Sequence, residues 1–353
     1  MKQDIETVLE YLPNGWEEAA RSEGALRRGR KIKTAEELLL LILLYVTQAG
    51  SYQNASTLMA FATDVQINKE AARKRIRDSW PWLLWMVREL CLAQGYAIKP
   101  PAWLGERSVL LVDASDVALR GSEKSDYRLH YAFDLFGFTC DQLELTTIAD
   151  GGERLGRYAL RPGDIVVADR AYGTRKSLEY VREAGAYFVV RLRTNALAFY
   201  DETGKRIDLM PRLRALEAWE AASVDCFYKD AKGSLRSVRV VACRKDDSAA
   251  EKEAKRRARA AKSKRQPAPS ARAQEMAGYI VVATNLPDTA EQILELYRAR
   301  WQIEQVFLRL KGLFCIGEPP SSNPDSVKAW FYGKLLVAAL CEAISRGRTF
   351  SPF

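Results

Sequence analysis

Apolar residues recur at helical spacing through the first part of the chain and alternate after it. Residues 1–98 read as helices, TAEELLLLILLYV, ASTLMAFA, NKEAARKRIRD and WPWLLWMVRELCLA, with turn residues between them. Asn68 is placed to cap the third, which sets Lys69, Arg73 and Arg77 at four-residue spacing on one face. Two readings of that face stay open: the second helix of a DNA-reading helix-turn-helix, or the solvated basic side of a helical bundle. Pro100, Pro101 and Gly105 mark a linker.

From Ser108 the period changes to two. SVLLVDAS, YRLHYAFDL and DQLELTTIAD are short β-rich runs between Gly and charged turns, the pattern of an antiparallel meander. GGERLGRYAL predicts a short helix, DIVVADR a strand, TRKSLEYVREAG a helix and YFVVRLR a strand. The order βββ-α-β-α-β predicts an α/β fold of the ribonuclease-H-like kind. Between Arg193 and Asn285 the β-prone pieces SVRVVACRK and GYIVVATN flank EKEAKRRARAAKSKRQPAPSARAQ, in which eight Lys and Arg fall between Lys252 and Arg265. This predicts an insertion with a basic, partly flexible arm, either solvated or in contact with phosphate. TAEQILELYRARWQIEQVFLRLKGLF predicts one long helix, and Asn323 caps a last one with Pro324 in its first turn.

Composition narrows the function classes. Lys and Arg number 54 against 45 Asp and Glu, a net charge of +9 over 353 residues that favours a polyanionic partner. The start, MKQDIETVLEYL, carries acids where an export signal has bases, and the longest apolar run, Leu38 to Val46, is too short to span a bilayer. The expectation is a cytoplasmic, nucleoid-associated protein with no membrane partner. Six cysteines lie scattered without a C-x-x-C pair, against a zinc site or a disulfide scaffold. The single histidine, His130, rules out chemistry that needs two imidazoles and itself reads as a strand residue. Carboxylates are left as the hard ligands for Mg²⁺ or Mn²⁺.

Two acids stand at the ends of apolar runs, Asp113 after VLLV and Asp169 after DIVVA, where an α/β fold opens to a cleft. Either residue also suits a turn or a cap. Asp116 competes with Asp113, and strand alternation puts the two on opposite faces. On a straight helix Tyr297, Arg300, Glu304 and Lys311 project within roughly 60° of one another, beside an apolar stripe of Leu296, Ile303, Phe307, Leu310 and Phe314. A lone Glu between cations reads as a surface ion pair. With two strand-end aspartates it completes a set able to hold two metal ions about 4 Å apart for in-line displacement at a phosphodiester. Arg and Lys beside it would grip phosphate without competing for metal.

The run Tyr297-x₂-Arg300-x₃-Glu304-x₆-Lys311 resembles, at every position, the Y-R-E-K signature of bacterial insertion-sequence transposases of the insertion-sequence-four family. DRAY, with Asp169, Arg170 and Tyr172, is similar to that family's second-Asp region, and LLVDASDVAL to its first, which favours Asp113 over Asp116. The resemblance implies a ribonuclease-H-like catalytic domain interrupted by a β-rich insertion, with Asp113, Asp169 and Glu304 as catalytic residues and ligands of two Mg²⁺ or Mn²⁺ ions. It implies cut-and-paste chemistry through a hairpin, with an aromatic residue holding a flipped base; Trp219, Phe227, Tyr228 or none of these is left open for that role. Tyr297, Arg300, Lys311, Arg170, Tyr172, Arg191, Arg193, Lys69, Arg73 and Arg77 are the expected DNA contacts. The partners would be double-stranded DNA, as terminal inverted repeats and target, and a second copy of the chain in a homodimer on DNA. About forty residues follow Lys311, so the large C-terminal dimerisation region of some relatives is expected to be reduced. The expected division is 1–98 as a helical DNA-end-binding domain, 106–194 with 286–353 as the catalytic domain, and 195–285 as the insertion. The alternatives are an inactive transposase-derived DNA-binding protein and another nuclease of this fold, such as a junction resolvase.

Overall fold

The computed structural model describes residues 2–347 apart from 28, 49, 94–97, 151, 194–196, 264–266 and 313–314, so Phe314 and Arg265 lie outside the described residues. It opens with six helices: α1 (Lys2–Leu9), α2 (Trp16–Ser22), α3 (Ala35–Thr47), α4 (Tyr52–Ala62), α5 (Lys69–Asp78) and α6 (Trp80–Ala93). Local signals start several of them. Thr34 and Glu37 form a reciprocal capping box on α3, and Asn68 Oδ1 accepts the Ala71 N–H at 2.8 Å, as its position predicted.

The meander follows as β1 (Val109–Val117), β2 (Tyr127–Asp134) and β3 (Thr139–Thr147), then β4 (Ile165–Ala168), α7 (Arg175–Glu183) and β5 (Tyr187–Arg191). Next come β6 (Phe199–Tyr200), β7 (Arg206–Ile207), α8 (Met210–Arg214), β8 (Ala221–Lys229), β9 (Leu235–Arg244), α9 (Asp247–Ser263), α10 (Ala271–Glu275) and β10 (Tyr279–Thr284). The chain closes with α11 (Ala290–Ala299), α12 (Trp301–Gly312) and α13 (Pro324–Gly347). Among the described residues the strands form one sheet in the order β3-β2-β1-β4-β5-β10-β9-β8-β6-β7. The β1–β2 and β2–β3 pairs are antiparallel, β1–β4 and β4–β5 parallel.

Two apolar layers sandwich this sheet. Val109, Leu111 and Val167 point to the side where the N-terminal helices, α11, α12 and α13 pack; Leu110, Val112 and Val166 point to the side covered by α7 and α8. The last helix, α13, rests on α3, α5 and α6. At Gly333 it comes close to α3, where a Cβ would stand 2.7 Å from Val46 Cγ1.

Three expectations change. Among its described residues GGERLGRYAL forms a 3₁₀ turn at Leu155–Arg157 and no α-helix. Gly152 and Gly156 weaken a helix there, and Leu155 and Tyr158 are instead drawn into the core. The long helix before Gly317 breaks at Arg300 into α11 and α12. Arg300 N–H bonds to Tyr297 O at 3.2 Å and Ile303 N–H to Arg300 O at 3.1 Å, a tightened turn that rotates α12 away from the straight projection. The strands of the insertion join the main sheet: β10 pairs with β5 on one side and β9 on the other. The arm within it is helical over Asp247–Ser263 and starts from a partly buried Lys245, whose Nζ donates to Ala277 O at 3.0 Å.

Candidate active site

The parallel pairing of β1 with β4 places the first two acids. Val112 stands opposite Ala168, so Asp113 and Asp169 come one step later on neighbouring strands. At that step β4 has ended, while β1 continues to Val117 against β2, so Asp113 lies within its strand instead of at its end. The gap left by β4 exposes one flank of Asp113. Alternation aims it to the same side as Leu111, where α12 packs on β1.

Arg300 ties the third acid to this pair. Its guanidinium donates from Nη2 to Glu304 Oε1 at 2.5 Å and from Nη1 to Asp113 Oδ2 at 3.4 Å. Asp113 Oδ1 accepts the Ala114 N–H at 2.8 Å, and Asp169 Oδ1 accepts the Ala171 N–H at 2.6 Å. Burial, and then the nearby Asp169 carboxylate, push Asp113 up to about 6 against the opposing pull of the Ala114 amide and Arg300. Two carboxylates this close carry more negative charge than one arginine offsets. Among the described residues no three acidic side chains converge on one point, because Arg300 stands between Asp113 and Glu304. Carboxylate oxygens with surplus negative charge are a donor type that suits hard divalent cations.

The rival acid is engaged elsewhere. Asp116 points to the opposite face and forms an ion pair with Arg128 at 2.7 Å. Its backbone carbonyl accepts Lys311 Nζ at 2.8 Å, so Lys311 reaches back along β1 from α12. Arg128 also meets Glu153 Oε1 at 3.7 Å. Burial and then Asp169 act in opposition to Arg128, with the net effect of holding Glu153 above the usual carboxylate range. Sequence reading missed Glu153 and Arg128. They sit in a segment read as a helix and on a strand without a motif, and only the folded sheet brings them beside the aspartates.

The expected DNA contacts divide. Tyr172 is fully buried, with its hydroxyl 3.4 Å from that of Tyr158, so it has no surface for DNA and belongs to the packing beneath the site. Tyr297 is also buried, and Arg300 lies over its ring at 5.9 Å, so it braces the arginine. Arg170 and Arg191 are half-buried and close enough to Arg257 of α9 that burial, then Arg257 and Arg191, lower the Arg170 pKa. Arg193 is exposed. Lys69 and Arg73 are exposed and Arg77 half-buried on the flank of α5 bordering the buried Ala72 and Ile76, with Arg73 paired to Glu70 and Arg77 to Asp78.

His130 serves none of this chemistry. It is buried, with Nε2 3.0 Å from Thr146 Oγ1 and Nδ1 without a partner, and burial followed by Arg157 and Arg128 pushes it down to about 4. A folded pKa below the unfolded value of about 6.5 means the unfolded chain binds the extra proton first. The stability contribution is present above about 6.5 and is lost as pH falls towards 4. The single imidazole makes this clean to measure: its proton resonance should titrate near 4, and a midpoint at or above 6 would contradict the buried neutral ring.

An α/β sheet with two neighbouring aspartates, and an arginine that links one of them to a glutamate on a packed helix, is in keeping with an enzyme that cuts nucleic acid through carboxylates. Residues 104–340 match the transposase DDE domain family, and the chain belongs to that family. It is 29% identical over 345 residues to the transposase for insertion sequence element IS421 of Escherichia coli, covering 94% of this chain and 91% of the relative. Against the putative transposase InsL for insertion sequence element IS186A of Escherichia coli (strain K12), identity is 28% over 344 residues, covering 94% and 90%. The transposase for insertion sequence element IS231F of Bacillus thuringiensis subsp. israelensis is 30% identical over 202 residues, covering 52% of this chain and 42% of the relative. No helix among the described residues is long and apolar enough to cross a membrane.

Proposed function

We propose that this transposase cuts DNA at the ends of its element and joins them to target DNA by cut-and-paste chemistry, with Asp113, Asp169 and Glu304 holding two Mg²⁺ or Mn²⁺ ions. The observation that supports the reading is the β1–β4 register, whose next step brings Asp113 beside Asp169, with Arg300 at the break between α11 and α12 paired to Asp113 and to Glu304 of α12. The strand order β3-β2-β1-β4-β5, antiparallel then parallel, supports a ribonuclease-H-like framework. When bound, the ions supply activation of the attacking oxygen and stabilisation of the leaving 3′-oxygen.

The chain's own residues do the rest. Arg300, anchored by Tyr297, has a planar guanidinium that suits two parallel bonds to a phosphate once DNA arrives. Lys311 offers a point charge beside Asp116. The partners proposed are double-stranded DNA with terminal inverted repeats and a second copy of the chain on that DNA, acting at the nucleoid.

The hairpin step calls for an exposed aromatic, and exposure separates the three choices. Tyr228 is fully buried and Phe227 half-buried, while Trp219 is 55% exposed and sits at φ 64°, a left-handed conformation rare for a large side chain. Trp219 is therefore the residue to stack on a flipped base. Trp219→Ala should lower hairpin yield about tenfold while nicking persists, and Trp219→Phe should restore much of it. Equal loss of nicks and hairpins would remove Trp219 from this role. The broader test incubates the protein with its element's end and Mg²⁺ or Mn²⁺ and resolves nicked, hairpin and joined products; absence of any cleavage with both metals would overturn the reading.

A further inference from the structure

The N-terminal end of α7 gathers basic and aromatic side chains around one opening. A cavity of about 480 Å³ opens there, lined by Thr174, Arg175, Lys176, Leu197, Ala198, Tyr200, Tyr228 and Lys229. Three of these are cations and none is an acid. Among the described residues Lys176 and Lys229 have no ion pair, and Arg175 has only a loose one, at 3.9 Å, to Glu179. Lys229 Nζ stands 4.6 Å from the centre of the Tyr200 ring. Tyr228 is buried beneath them, with the Arg182 guanidinium over its ring at 6.0 Å.

Local structure holds this arrangement in place. Thr174 Oγ1 accepts the Ser177 N–H at 3.3 Å, which caps α7 and leaves the Arg175 and Lys176 amides unbonded within the helix. Gly173 keeps the helix start against β5, since a Cβ there would stand 2.8 Å from Arg191 O. Unbonded amides and a helix dipole favour an anion, and so do three lysine and arginine side chains. The apolar and aromatic remainder, Leu197, Tyr200 and Tyr228, suits a flat ring. The volume lies in the range of small-ligand pockets and exceeds what a bare phosphate fills.

We propose that this cavity binds one nucleotide unit of the DNA strand running from the carboxylates, with its phosphate on Lys176, Lys229 and the α7 amides and its base against Tyr200. The proposal rests on the DNA reading above. Thr174 follows Asp169 by five residues, so the cavity lies within about 18 Å of it even at full extension. A strand rising about 3.4 Å per nucleotide covers that in about five steps.

The test measures binding of the whole chain to a fluorescein-labelled duplex carrying the element's own end, across a series of salt concentrations. Lys176→Ala combined with Lys229→Ala should weaken binding tenfold or more at low salt. It should also flatten the slope of log affinity against log salt by about 0.9, for the one phosphate that is no longer neutralised. Tyr200→Ala should weaken binding about tenfold with the slope kept, and Tyr200→Phe should match the unaltered protein. Lys33→Ala with Lys99→Ala serves as the charge control and should leave the slope unchanged. If the unaltered protein binds and the Lys176/Lys229 variant keeps its slope, or the control flattens equally, the cavity assignment is overturned and the DNA reading stands. If the unaltered protein does not bind the duplex, both fall.

Discussion

Replacing Glu304 by Gln is expected to lower the rate of DNA nicking at least about a thousandfold while leaving the thermal midpoint nearly unchanged. The amide keeps the size of the side chain and its place on α12 but withdraws one of the three carboxylates proposed to hold metal, where metal chemistry would contribute several kcal/mol, and each 1.4 kcal/mol is about tenfold in rate. The structural loss is small by comparison. The pair with Arg300 is an i,i+4 contact whose glutamate side chain is 45% exposed, worth roughly 0.5 kcal/mol or less. Asp169→Ala should lose activity to the same degree. Supercoiled plasmid carrying the element's ends, followed over time with Mn²⁺, gives the rate; retention of more than a tenth of it in Glu304→Gln would remove that residue from catalysis.

The largest stability effect is expected from Gly50→Ala, far from the chemistry. Gly50 sits at φ 75°, and a Cβ added there would stand 2.4 Å from Pro320 Cγ and 3.0 Å from the Trp330 ring. A left-handed alanine costs about 1 kcal/mol and a tight overpacked contact about 1–3 more. Trp330 packs edge-on against Tyr45 at 5.6 Å, so the strain falls where α13 seats on α3. A loss of about 3 kcal/mol should lower the calorimetric midpoint by several degrees, with nicking by the folded fraction unaltered. A shift under one degree would show that Pro320 yields freely.

The contrast between these two substitutions mirrors what was legible in the sequence. Glu304 was marked by a four-residue spacing, because a helix carries functional side chains at fixed intervals and those intervals survive in one dimension. Asp113 and Asp169 were marked more faintly, as acids after apolar runs. Gly50 carried no signal: its need for a missing Cβ comes from Pro320 and Trp330, brought to it only by the seating of α13.

The same division runs through the site. Strand alternation alone separated Asp113 from Asp116, and the structure finds Asp116 paired with Arg128 on the opposite face. The helix projection of Tyr297, Arg300, Glu304 and Lys311 assumed a straight axis, and the break at Arg300 changes its meaning. Tyr297 turns into the core and Lys311 reaches back to Asp116 O. Tyr172 looked like a polar contact in DRAY, yet a tyrosine after a strand end is as readily swallowed by the layer beneath the sheet.

What the sequence determined by itself was local: helix and strand periods, the Asn68 cap, the basic excess, and the spacing of arginine and lysine about Glu304. These follow from short-range sterics and the burial of one face, which neighbouring residues suffice to specify. Tertiary structure alone decided which acids become neighbours, since the β1–β4 register is a contact across more than fifty residues of chain. It also decided that Arg300 bridges Asp113 and Glu304, that Glu153 joins the charge network, and that three cations line one acid-free cavity at α7. Electrostatic and packing interactions act through space, so groups far apart in the chain acquire their partners only when the sheet closes.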